Sequence, residues 1–586
     1  MTAWRPRLRD VIGRRPWLLA AWAILSPLLL VAANTDWLYT PAGYLDPWDY
    51  VGFFLSYDQP EFLPGRYKLA RLPWILSGWL AHAWLPDALA PLVLHLAYLL
   101  LSVGGMYVLV SQLFGSPRLG ALTAMLLAFY TPFHGSGGWD YHNTAAGAFH
   151  LWSLVALTHA ARVRTLASML GAGCLVALAV HANITLVNLI PLFAVHLYVV
   201  GRQQAPITLR TAVVSTLQVA CGGLALTAAL MAINVLMGRD PQFFRTLVAI
   251  VLRYTADPSN FAAWWKPWGP WVLEAKYLAI PAATLVVTAG AVLFRGRQLP
   301  TLQRLAFGEY LALAILWCIW QTRGRTALDW EYFAYPLIPQ AFLAVAALLH
   351  WRSAVPQPWL IVITPFALAA ALTGDVGAMA QRWMTAHPSL TGMVPALVVC
   401  VLAAAALRLP RRATAAAFVL LWSVGNGLAA PVPTNYAIGK PCQTAEAFQA
   451  AVIAAHRFVA ETDPAFADAT VWFEENEQLP TGDGCTINLG YLGYALAASG
   501  VPYVTEPFPL PAIEDIPGAA LDEVTRPRRT LVVVTARPEN VERVKQRLQE
   551  VGIAVSRDRQ RRFQIGSGTF AIHMLALERP ATALTH

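Results

Sequence analysis

Long apolar runs separated by short polar pieces fill the first three quarters of the chain. Runs of a length that can cross a hydrocarbon core predict spanning helices near 17–33, 89–113, 118–132, 144–161, 166–181, 184–200 and 211–237. More follow near 271–294, 305–320, 333–350, 357–373, 391–407 and 413–430, which makes about thirteen. From about Pro431 the pattern becomes that of a water-exposed domain, with helices near 444–460, 488–499 and 538–552. Strand-like runs lie between and after them, at 469–474, 529–536 and 569–577. The expected fold class is a polytopic α-helical membrane protein (residues 1–430) followed by a small α/β domain (residues 431–586).

Composition agrees. The chain is 57% hydrophobic and 13% charged, which excludes an ordinary soluble protein. The net charge of +9 does not imply nucleic acid, because the arginines fall in short pieces between alternate apolar runs. Those pieces place the N-terminus in the cytoplasm and, with an odd number of spans, the C-terminal domain outside, as in a bacterial inner-membrane protein. The N-terminus has the look of a secretory signal; the many later runs make an uncleaved first span the expectation. Of six cysteines, only Cys442 and Cys485 fall in the outer domain, where an oxidising compartment permits a disulfide; two free thiols are the alternative.

The outer loops are long and chemically rich, above all 34–88. That loop carries Asp36, Asp46, Asp49, Asp58 and Glu61, many aromatics, and then Arg66, Lys68 and Arg71. Carboxylates at a membrane surface, followed by cations and aromatic anchors, suit an amphipathic, negatively charged lipid substrate. The plainer reading is an ordered interfacial loop whose acids are merely solvated.

Three motifs carry a resemblance. Tyr44-Leu-Asp46-Pro-Trp-Asp49-Tyr50 follows the first span, and Arg71-Leu-Pro73 opens the next apolar stretch. Gly138-Trp139-Asp140-Tyr141-His142-Asn143 opens the fourth span, and Arg323-Gly-Arg325 precedes Tyr332 and Tyr335-Pro336. On these residues the chain resembles the C-type (GT-C) glycosyltransferases, most nearly the protein O-mannosyltransferases and the bacterial aminoarabinose transferases that act on lipid A. The resemblance implies that Asp46 takes the place of the family's loop aspartate, the general base, with Tyr50 at the tyrosine position. Pro47 stands where the family often has Glu, so Asp49 is an alternative base. Asp140 would position the acceptor or steady an arginine; equally, it could simply cap the helix that follows. Arg71, Arg323 and Arg325 would hold the donor phosphate, with interfacial snorkelling the alternative for Arg323 and Arg325. Lys266, amid Trp264, Trp265 and Trp268, is a further donor-site candidate whose plainer reading is the aromatic belt, and Tyr332 and Tyr335 would complete the site.

The expected activity is therefore transfer of a sugar from a polyprenyl-phosphate donor to an acceptor hydroxyl on the outer face, with inversion. The acceptor, whether glycan, lipid or protein, stays open. Membrane lipids are expected partners and nucleic acid is not. No cofactor is required by this chemistry and no metal site is indicated, although a divalent cation could assist. A lipid or polysaccharide transporter and a non-catalytic envelope-assembly protein are the rival classes.

Overall fold

The computed structural model describes residues 16–33, 38–40, 45–58, 67–130, 132–133, 140–256, 279–323, 336–354, 356–373, 409–428, 445–462, 469–474, 476–482, 485–498 and 512–579. Its first helices are α1 (Pro16–Leu25) and α2 (Leu28–Ala33), one apolar run broken where Pro27 has no N–H to give. The run 34–88, expected as a loop, folds in large part into helix. It holds α3 (Leu45–Ser56), a 3-10 turn at Tyr67–Ala70 and α4 (Leu72–Trp84). The aromatics supply the reason, since Trp48, Tyr50, Phe53, Phe54, Tyr57 and Trp74 are all buried and drive ordering that a connecting loop would lack.

The helical body continues with α5 (Ala90–Phe114), α6 (Pro117–Ala128), α7 (His142–Val163), α8 (Leu166–Ala182) and α9 (Ile190–Arg202). Then come α10 (Leu209–Leu236), α11 (Arg245–Ala256), α12 (Ala279–Arg295), α13 (Thr301–Arg323), α14 (Leu337–Trp351), α15 (Pro358–Thr373) and α16 (Arg411–Leu428). Among the described residues five helices are long and apolar enough to cross a membrane: α5, α9 with the 3-10 turn before it, α10, α12 and α13. Shorter apolar helices stand at five of the other expected places, α7 and α16 occupy those at 144–161 and 413–430, and the expected span at 391–407 lies outside the described residues. Helices α8 and α10 cross at bare backbone. A Cβ on Gly222 would lie 2.1 Å from the Leu170 carbonyl oxygen, and one on Gly173 1.9 Å from that of Val219. Small residues let helix backbones meet where lipid offers no hydrophobic drive to hold them together.

The C-terminal domain opens with α17 (Ala445–Thr462), β1 (Ala469–Phe473), β2 (Gln478–Gly482), β3 (Cys485–Asn488) and α18 (Gly490–Ala498). It closes with α19 (Gly518–Thr525), β4 (Thr530–Thr535), α20 (Pro538–Glu550), β5 (Ala554–Ile565) and β6 (Gly568–Glu578). The main sheet has the order β1-β4-β6-β5, with β1 and β4 parallel and the other pairs antiparallel, while β2 and β3 form a separate hairpin. Strand β4 alternates between two cores. Val532 and Val534 join the core shared with α17, α18 and the helical body, whereas Leu531 and Val533 pack with Val541, Val544 and Leu548 of α20. Thus one face of the sheet is turned, through α17 and α18, onto α3.

Candidate functional site

The site is built on α3, on the residues just before α4, and on the start of α7. Helix α3 carries Asp46 in its first turn and Asp49 and Tyr50 three and four residues later. Pro47 is accommodated because the first turn of a helix needs no N–H donor there. The Asp46 side chain lies outside what the structure describes. Asp49 is ion-paired with Lys68 of the 3-10 turn, and both side chains are mostly buried, at 14% and 11% exposure.

Arg71 precedes α4 and reaches back to α3. Its Nη1 donates to the Tyr50 hydroxyl, and its guanidinium sits 5.6 Å from the Tyr50 ring centre and 5.7 Å from that of Tyr67. The Tyr50 oxygen also lies 3.4 Å from Nδ1 of His142, at the start of α7. Nε2 of His142 faces the side-chain amide of Asn183 at 3.0 Å, and that amide also donates to Asn143 Oδ1 at 2.9 Å. With Asn183 donating to Nε2, the ring proton sits on Nδ1 and points toward Tyr50. Two cations, a carboxylate and a phenol are thus set side by side on α3, the 3-10 turn and the residue before α4.

Asp140 sits two residues before His142 and is fully buried. Its Oδ1 meets His95 Nε2 at 3.0 Å, and its Oδ2 accepts from Thr40 Oγ1 at 2.6 Å and from the amide of Gln449 on α17. Burial alone would push this carboxyl up. The charge of His95 and the hydrogen bonds from His95 and Thr40 outweigh it and hold the group below the ordinary carboxylate range. Asp140 does not cap α7: Tyr141 occupies that position, and the Asp140 oxygens are taken by the three partners above. Nor is an arginine among those partners. The carboxylate ties three elements together and is not presented to solvent.

Helix α17 lies against both ends of α3. The Trp48 and Phe448 rings meet edge-on at 4.8 Å, and Ser56 Oγ lies 3.0 Å from His456 Nε2. Arg457 pairs with Asp87 in the turn between α4 and α5.

Of the residues singled out from sequence, the structure gathers Asp49, Tyr50, Arg71 and Asp140, with Asp46 on the same helix as the first two. Arg323 is the last residue of α13 and its side chain is not described; Lys266, Arg325, Tyr332 and Tyr335 lie outside the described residues, as does Cys442. Among the described residues no three His, Cys, Asp or Glu side chains stand together as metal ligands. Lys68, Thr40, His95, His142, Asn183 and Gln449 were not assigned to a site from sequence. His95 did carry a signal, as an ionisable residue within an apolar run. Gln449 carried none, since 309 residues separate it from Asp140.

No protein-family model matches the chain, and no curated protein does. Among solved structures it is similar to ArnT from Cupriavidus metallidurans bound to undecaprenyl phosphate, at 12% identity and a TM-score of 0.43, over 93% of this chain and 97% of that one. Its similarity to the apo state of the same protein extends over the same shares, at 13% identity and a TM-score of 0.39.

Proposed function

We propose that this protein is an integral-membrane glycosyltransferase that takes a sugar from a polyprenyl-phosphate donor and passes it, with inversion, to an acceptor hydroxyl at the outer membrane surface. The observation that carries this reading is the pairing of Lys68 with Asp49 and of Arg71 with Tyr50 on one buried helix at the end of the apolar body. Each cation rests on a group that a phosphate could replace. A lipid phosphate entering there would meet one point charge and one planar fork, both preorganised in a water-poor setting.

Asp46 is the general base in this reading. Asp140 is committed to holding the fold and is not free to accept the acceptor's proton, while Asp49, which the donor phosphate would displace from Lys68, is the alternative base. The acceptor oxygen attacks the anomeric carbon as Asp46 takes its proton, and the carbon–phosphate oxygen bond breaks with its electron pair leaving on the phosphate. Lys68 and Arg71 stabilise that leaving charge. Arg323, Arg325, Lys266, Tyr332 and Tyr335 complete the donor site on the strength of the sequence motifs.

The test is a transfer assay on reconstituted protein with polyprenyl-phosphate sugars, alongside a comparison of cell-envelope glycans from wild-type and Asp46→Asn strains. Asp46→Asn abolishes transfer while keeping donor binding, because shape is kept and basicity lost. Full turnover by Asp46→Asn with none by Asp49→Asn would move the base to Asp49. Full turnover by both would end the reading.

A further inference from the structure

Gln449 belongs to the C-terminal domain, yet its side chain is buried among residues of the first 140 positions, with 1% exposure. Its Oε1 accepts from the Thr40 backbone N–H at 3.1 Å, and its Nε2 donates to Asp140 Oδ2. Thr40 closes the ring: its hydroxyl donates to Asp140 Oδ2 at 2.6 Å and accepts from the Asp140 N–H at 2.9 Å. Gln449 Oε1 and Nε2 are thus both used at this junction, as a side-chain amide can be. It gives a proton on one side and receives one on the other.

We propose that Gln449 is a positioning residue for the site: by closing this ring it fixes Asp140, and through it the start of α7, so that His142 meets Tyr50 and Tyr50 holds Arg71. The link is short. Asp140 is two residues from His142, and the Tyr50 hydroxyl stands between His142 and Arg71. The same helix, α17, touches α3 at Trp48 and at Ser56, so the C-terminal domain braces both ends of α3. The exported domain is on this view a part of the transferase centre. This inference rests on the proposed glycosyl transfer only for its kinetic readout.

Gln449→Glu and Gln449→Met separate positioning from bulk stability. In Gln449→Glu a second carboxylate faces Asp140 when ionised, whereas the protonated acid both donates and accepts as the amide does. Turnover of the folded, full-length protein in nanodiscs should fall at least tenfold at neutral pH and recover on acidification relative to wild type at the same pH. Gln449→Met should lose turnover without that recovery. Hydrogen exchange should rise at residues 140–150 and 45–56 in both variants, a reading that needs no substrate. If wild type transfers no sugar, the functional reading fails, and the exchange data alone decide the positioning claim. Unchanged exchange at these segments in Gln449→Met, or turnover within twofold of wild type in both folded variants, would overturn it.

Discussion

His95 and Asp140 face each other across 3.0 Å with both side chains fully buried, while the other ring nitrogen of His95 lies 2.6 Å from the Leu38 carbonyl oxygen. A carbonyl brings no proton, so Nδ1 supplies one to Leu38, and the contact with Asp140 needs a second. Removing one partner of such a pair strands the other. Asp140→Ala should cost on the order of 3–5 kcal/mol. Asp140→Asn should be far milder, because its amide can donate to a neutral His95 while its oxygen still accepts from Thr40 and Gln449. Thermal unfolding of the two variants checks this. Transfer by Asp140→Asn also checks the holding role: activity survives if position matters and fails if the charge itself is needed.

Arg71 should matter to donor affinity more than to folding. Among the described residues its guanidinium touches Tyr50 and Tyr67, by hydrogen bond and ring stacking. Arg71→Ala should weaken donor binding by on the order of 1.5–3 kcal/mol, the usual worth of a charged hydrogen bond. Arg71→Lys should recover part of it, since a point charge replaces a planar fork. Donor-lipid titrations with the two variants side by side give the answer.

Burial, together with the neighbouring Arg457 and His82 charges, holds His456 down to about 3, from an ordinary histidine value of 6.5. The folded protein therefore keeps this ring neutral where an unfolded chain would protonate it. Stability is present above about 6.5 and is lost as pH falls toward 3. The melting temperature should drop between pH 7 and pH 5 more steeply in wild type than in His456→Gln. The glutamine can keep the contact with Ser56 but has no proton to gain.

Gly78 lets α4 lie directly on α3. A Cβ there would fall 2.2 Å from the Phe54 ring, and Phe54 is itself buried against Trp74 and His82. Gly78→Ala must displace the ring, at a cost of about 1–3 kcal/mol for overpacking. Because α3 carries Asp46, Asp49 and Tyr50, the variant should lose activity as well as thermal stability. A Gly78→Ala, Phe54→Leu double variant should regain part of both.

The apolar runs and the presence of a small mixed domain after them were legible because the period and length of hydrophobic stretches are local properties. Strand β5 was not. It is an edge strand carrying Arg557, Arg559, Arg561 and Arg562, nearly all exposed, and charge at an edge erases the alternation by which strands are read. The helical character of 45–56 was hidden by its acids and by Pro47, and emerges only when Trp48, Tyr50 and Phe54 find partners on distant elements. The sequence also showed Asp49, Arg71 and Asp140 as candidates but could not distinguish a carboxylate poised for chemistry from one spent on structure. That distinction lies in Lys68, His95 and Gln449, brought in by the fold.

The Gln449 ring also imposes an order on biosynthesis. Thr40 and Asp140 leave the ribosome early, and Gln449 follows 409 and 309 residues later. At roughly 5–20 residues per second, the interval after Asp140 is about 15–60 s. During that time the first helices are in the bilayer with their polar ends unmatched. Only when the C-terminal domain has been made and folded does the amide arrive, so a stalled or truncated chain reaches the membrane without the closed ring.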